Sequence, residues 1–218
     1  TLVVGGIHEV TKICNQVTYV NTMSTARKTQ AERRAQTQAA VLRSATRLFG
    51  AHGYAATSLE QIAADAGTTI RPVYHYFGNK QALFEAVADT LEAQLLAVLV
   101  DPAFASGRAG LLDRFRACLG LLAQRDFQRV VLLDAPAVLG KSRWAESPVA
   151  RAASEVLATL PLGDDPIRAE LVRRMAIGAL TEAAVALAES TSDAELQQRI
   201  DALMGLAALF LPSPVRAR

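Results

Sequence analysis

Thr68, Thr69, Arg71, Tyr74 and His75 bring hydroxyl, guanidinium, phenol and imidazole groups together around the apolar Ile70 and Val73. On a short helix, such a set projects donors and acceptors from one exposed face. These groups are suited to reading base edges. Arg71 can make a bidentate contact with guanine, worth about 1–3 kcal/mol of discrimination. Lys80 adds an ammonium, and Thr57, Ser58 and Asn79 stand where helices are expected to start, at ends whose N–H groups and dipole favour a phosphate. Upstream, Arg33 and Arg34 continue the basic run begun by Arg27 and Lys28, an arm suited to phosphates or a minor groove. The candidate nucleic-acid contacts are therefore Arg33, Arg34, Thr57, Ser58, Thr68, Thr69, Ile70, Arg71, Tyr74, His75, Asn79 and Lys80. A plainer role exists for each: Tyr74 and His75 as packing residues, Arg71 as a solvated charge. Val73 and Phe77 are better core anchors, which leaves Tyr74 and His75 to face outward.

The elements that must hold these residues are legible in the hydrophobic spacing. Val41, Leu42, Ala45, Leu48 and Phe49 form a helical stripe within 32–52, with Arg33, Arg34, Arg43 and Arg47 largely off it. Gly53 is placed to end that helix. Thr57 to Glu60 reads as a capping box, with the Thr57 hydroxyl taking a helix N–H. The helix it opens turns Leu59, Ile62, Ala63 and Ala66 inward and stops at Gly67. Thr69 is expected to cap the next short helix, 70–76, with Pro72 harmless in its first turn. After Gly78, Asn79 caps a long helix to about Val100 whose stripe is Leu83, Phe84, Val87, Leu91 and Leu95. Stripes at Leu111 to Leu122 and Phe127 to Leu133, an irregular stretch 135–148, and helices near 149–160, 167–189 and 193–211 follow, with Pro/Gly breaks between them.

Composition agrees with an all-α fold. The 218 residues are 51% hydrophobic and only 6% aromatic, and Ala and Leu dominate the apolar set. Net charge is +2, but residues 24–80 hold eight cations against three anions, and residues 81–218 hold fourteen against seventeen. A basic front meets a polyanion and an acidic rear does not. Cys14 and Cys118 offer no disulfide framework, and His8, His52 and His75 are not spaced as metal ligands. Cys118 falls on the apolar stripe of Phe115 as a small core residue. No metal or cofactor is expected. The two cysteines without a disulfide framework make a reducing cytosol the expected compartment, and no apolar run reaches the roughly 18 residues of a membrane span, so no membrane contact is expected. Residues 1–22 lack helical periodicity. Met23 as the native start and a true N-terminal extension both remain open.

Three helices within fifty residues, the second and third joined by a tight Gly-containing turn, make a helix-turn-helix unit. The string from Phe49 to Leu59, then Ile62 to Gly67, then Val73 to Leu83 resembles the DNA-binding domain of TetR-family regulators over about residues 38–87. Ile70, Arg71 and Pro72 depart from that pattern, which leaves the operator sequence open. The resemblance implies an N-terminal DNA-binding domain and a C-terminal helical ligand-binding and dimerisation domain. It also implies a homodimer built from the last two long helices, and DNA contact by Thr57, Tyr74, His75 and Lys80. The expected division is an N-terminal extension and basic arm over 1–31, the helix-turn-helix over 32–78 and the connecting helix with the effector domain over 79–218.

Phe104, Phe115, Phe127 and Trp144 are candidates for lining an effector pocket, with a plain core role as the alternative. Ala176, Ala179, Leu180, Ala183, Leu187, Leu203, Met204, Ala207 and Phe210 are candidates for the dimer interface, with the small residues allowing close helix approach. The expected function is a repressor of palindromic double-stranded operators, relieved by a small, largely apolar effector. The alternatives are an activator, and a DNA-binding or architectural protein without an effector. No Ser/His/Asp order, phosphate loop or paired carboxylates point to an enzyme.

Overall fold

The computed structural model describes residues 29–105, 107–140, 143–158 and 165–210, and it divides into two compact units after Gln36. Every regular element among the described residues is helical.

In the first unit, Thr29 and Glu32 form a reciprocal cap. The Thr29 N–H donates to the Glu32 carboxylate at 2.7 Å, and the Glu32 N–H donates to Thr29 Oγ1 at 3.2 Å. This opens α1 (Gln30–Ala56) two residues before the expected start. Arg33 and Arg34 are exposed on it. Arg27 and Lys28 lie outside the described residues.

In the second unit, α1 buries Val41, Ala45 and Phe49 at i, i+4 and i+8. Gly53 breaks its helical geometry at φ 80 and ψ 171, as expected of a glycine there, and one further turn follows to Ala56. The next cap corrects the sequence reading by one residue. Ser58, not Thr57, caps α2 (Leu59–Asp65): its Oγ accepts from the Gln61 N–H at 3.2 Å, and Gln61 Oε1 accepts from the Ser58 N–H at 2.8 Å. The Thr57 hydroxyl turns inward instead. It donates to the Gly53 carbonyl at 2.8 Å and lies 3.2 Å from the Leu48 carbonyl, both on α1 at or before the Gly53 break.

After the turn at Gly67 (φ 66) comes α3 (Ile70–Phe77), fastened by Val73 and backed by Ile70 and Phe77. Thr69 occupies its N-cap position without a side-chain hydrogen bond, so the expected hydroxyl cap is not made. Asn79 does cap α4 (Lys80–Val100), accepting from the Ala82 N–H at 2.8 Å. The stripe Leu83, Phe84, Val87, Leu91 and Leu95 is buried as expected, together with Glu92.

Behind α4 lie α5 (Gly107–Leu122), the short α6 (Arg125–Phe127), a π-helical segment (Gln128–Asp134), α7 (Ala135–Val138), α8 (Arg143–Glu146) and α9 (Pro148–Ala158). Two long helices, α10 (Pro166–Ala188) and α11 (Asp193–Phe210), complete the fold. The π segment was not legible as such. Its i→i+5 bonding shows in the Ala135 N–H donating to the Val130 carbonyl, just before Pro136, which has no N–H to continue the α pattern. Cys118 is buried in the core, as expected, and burial pushes its thiol up to about 11. Arg114 donates to the Val98 and Asp101 carbonyls, each at 3.2 Å, and so closes the C-terminal end of α4.

Candidate nucleic-acid interface

The second unit gathers most of the candidate contacts on one surface. Arg71, Tyr74 and His75 are exposed on α3, Tyr74 by 51%, while Val73 beside them is sealed in the core. Thr69 is exposed at the start of α3 and Thr68 is half-buried next to it. Ile70 is half-buried and packs against the core. This split follows from the helical period: Ile70, Val73 and Phe77 share one side, and Arg71, Tyr74 and His75 are left on the other.

Beside α3 lies an open hollow of about 460 Å³ lined by Ser58, Gln61, Tyr74, Asn79 and Lys80, among others. Its floor is the short link between α1 and α2, and one wall is the N-terminus of α4. The Lys80 ammonium lies 4.3 Å from the centre of the Tyr54 ring and 3.4 Å from the Ala55 carbonyl. Both contacts orient it without neutralising its charge. Tyr54 is itself wedged against Phe49 and Phe84, with ring centres 6.0 and 5.0 Å away. A cationic group, a phenol and a dipole-positive helix end facing one hollow make a receptor for an anionic oxygen.

Thr57 does not join this surface through its hydroxyl. It is 2% exposed, and its hydrogen bonds are internal. The Ser58 hydroxyl and the Asn79 carboxamide oxygen are occupied as caps, although both residues line the hollow. Arg33 and Arg34 belong to the first unit and are exposed there. The Tyr54 ring under Lys80 is not among the residues expected at this surface. An aromatic directly after the helix-ending Gly53 was the available signal.

Comparison with known proteins decides the family. Residues 41–87 match the bacterial regulatory proteins of the tetR family, and residues 108–209 match a tetracyclin repressor-like C-terminal domain. A crystal structure of a TetR-family transcriptional regulator from Pectobacterium atrosepticum is 30% identical, with a TM-score of 0.63, and the match covers 86% of this chain and all of that one. The chain belongs to the TetR family.

An HTH-type transcriptional repressor of Mycobacterium tuberculosis is 37% identical over 122 residues, a match covering 51% of this chain. The chain spans 65% of the length of the curated relatives it matches. A TetR-like transcriptional regulator from Rhodococcus shares the fold at 24% identity, with a TM-score of 0.57 over 83% of this chain and 96% of that one.

Three of the candidate effector residues of this TetR-family protein fall among the described side chains. Phe127 is fully buried in the core and Phe115 packs against that core. Phe104 is half-buried, with its ring 5.0 Å from the Arg114 guanidinium. The side chains of Trp144, Ala176 and Phe210 lie outside the described residues.

The dimerisation set also divides. Leu187 is 0% exposed and Ala183 is nearly sealed, both within the subunit's own core. The face of α10 opposite them carries Ile167, Leu171 and Met175 at i, i+4 and i+8, all exposed, Met175 by 74%. Ala179 lies exposed on this helix and Leu180 is half-buried. On α11, Leu206 and Leu209 are exposed, while Leu203 and Met204 pack inward against the core and Ala207 is half-buried. This second apolar stripe lies apart from the small residues expected at the interface.

Two charged features lie in the C-terminal part. Glu92 is buried on α4, and burial raises its carboxyl above the ordinary value despite a hydrogen-bonded Arg143, which also pairs with Asp89 at 2.5 Å. A second hollow, of about 260 Å³, is lined by Arg125, Gln128, Arg129 and the 190–193 link. No helix among the described residues is long and apolar enough to cross a membrane. No metal-binding cluster occurs among them.

Proposed function

We propose that this TetR-family protein is a cytoplasmic transcription regulator. It binds a palindromic double-stranded operator as a homodimer and represses until a small, largely apolar effector releases it. The observation that carries the reading is α3: Val73 is buried while Arg71, Tyr74 and His75 face outward beside the hollow that Lys80 lines. α3 enters the major groove. Lys80 and the N-terminus of α4 hold a phosphate next to it. In the first unit, Arg33 and Arg34 are exposed cations suited to phosphates.

The two-fold is supported by the exposed stripe of Ile167, Leu171 and Met175 together with Leu206 and Leu209, apolar surface that a second copy would cover. Repression is supported by the curated name of the mycobacterial relative. An effector is supported by the tetracyclin repressor-like C-terminal match, with Phe115 a half-buried aromatic inside it and Phe104 another just before it.

The experiment is selection from random duplexes, followed by affinity measurement on the enriched sequence and on its single-base variants. The wild-type dimer is expected to enrich an inverted repeat. Arg71→Ala is expected to lose about 1–3 kcal/mol of discrimination at one base pair of each half-site. A wild-type protein that enriches nothing at physiological salt overturns the reading.

A further inference from the structure

Tyr54 follows the Gly53 break, so its N–H has no ordinary place in the α1 ladder. It finds an acceptor 80 residues away: Asp134 Oδ2, at 2.6 Å. The same oxygen accepts from Arg129 Nε at 3.3 Å. The Asp134 side chain is only 18% exposed, so water competes weakly for it.

Three features of the chain converge on this contact. The i→i+5 turn between Gln128 and Asp134 brings Arg129 and Asp134, five residues apart, to one side, where an ordinary α-helical turn would splay them. Gly53 lies so close to the Arg129 guanidinium that a Cβ there would collide with it. One turn earlier, a Cβ on Gly50 would come within 2.6 Å of Asp126 Cβ. The end of α1 is therefore seated against α6 at Gly50 and against the Arg129 side chain of the π segment at Gly53, and it is held there by a charge-assisted hydrogen bond. On the other side of the same residue, the Tyr54 ring supports Lys80. One residue thus links a carboxylate of the C-terminal helices to a cation at the hollow.

We propose that Asp134 is a positioning residue: through the Tyr54 N–H it fixes the angle at which the π segment presents α1, and with α1 the α2–α3 pair and Lys80. This rests on the DNA-binding reading above. In a dimer, a change of that angle alters the separation of the two α3 helices, and so the operator spacing that fits both.

The test uses the full chain and the duplex enriched by the wild-type protein, with its two half-sites moved apart or together by one and two base pairs. A wild-type protein that enriches no sequence overturns the DNA reading and this proposal with it. Given an enriched duplex, Asp134→Ala is expected to lower affinity for the best spacing by about tenfold and to flatten the spacing preference. Helix content by circular dichroism and low-salt binding to unrelated duplex should be retained. A wild-type spacing profile in Asp134→Ala overturns the proposal, whether or not the melting temperature falls, because a merely structural contact lowers stability without changing spacing. Should Asp134→Ala not fold, Asp134→Asn gives the same reading. Its neutral oxygen holds Tyr54 and Arg129 more weakly in the same shape, and the expected result is again a broadened spacing preference.

Discussion

Lys80 rests its ammonium over the ring of Tyr54, 4.3 Å from the ring centre, and that ring is clamped in turn by Phe49 and Phe84. A flexible side chain is thereby held at the mouth of the hollow before any ligand arrives, which lowers the ordering cost of binding.

Lys80→Met is expected to weaken binding to all duplexes alike and to reduce the slope of log affinity against log salt by about one. Titrations at four salt concentrations read this directly. An unchanged slope removes Lys80 from the phosphate contacts.

Thr57 and Ser58 are neighbours with separable roles. Thr57→Val removes the buried hydroxyl that donates to the Gly53 carbonyl and is expected to cost about 1–3 kcal/mol of stability. Ser58→Ala removes a cap worth about 1 kcal/mol. Urea melts of both variants test the assignment. A Thr57→Val protein as stable as wild type but impaired on DNA would return the Thr57 hydroxyl to the binding surface.

This pair shows what the sequence disclosed and what it withheld. Helix identities, the Gly53 break, the Asn79 cap and the outward face of α3 follow from local periodicity and glycine chemistry, which are properties of short windows. The cap at Ser58 shifted by one residue because Thr57 and Ser58 are chemically alike. The choice between them depends on which carbonyls at the end of α1 need a donor, a fact of tertiary structure. The π segment depends on Pro136 and on the seating of Gly53, and neither is visible in hydrophobic spacing. On α10, two apolar stripes share one helix, and composition alone does not say which faces inward.

That ambiguity gives the third prediction. Met175→Glu is expected to leave the subunit folded and to shift the protein toward monomer in sedimentation velocity, since it puts charge on an exposed apolar stripe. Leu187→Ala is expected to lower stability by about 2–5 kcal/mol through a core cavity. A Met175→Glu protein that remains fully dimeric places the two-fold elsewhere.

Acid sensitivity is the fourth. The Ser44 hydroxyl, and after it the Arg47 guanidinium, hold the Asp65 carboxyl below its ordinary value of 3.8. The folded state therefore releases this proton more readily than the unfolded chain does. The resulting stability is fully present above pH 3.8 and is lost as pH falls from there through the lowered value. Asp65→Asn is expected to flatten the acid limb of the stability profile, as measured by melts across that window. An acid limb identical to wild type assigns the loss to other carboxylates.

The single buried anchor of α3 has a consequence for descent. Val73 carries the attachment, with Ile70 and Phe77 beside it, while Arg71, Tyr74 and His75 stay outside the core. If α3 reads DNA as proposed, mutation at those three sites respells the recognised sequence while the core anchor stays in place, and a lineage bearing this chain would acquire new target genes one substitution at a time.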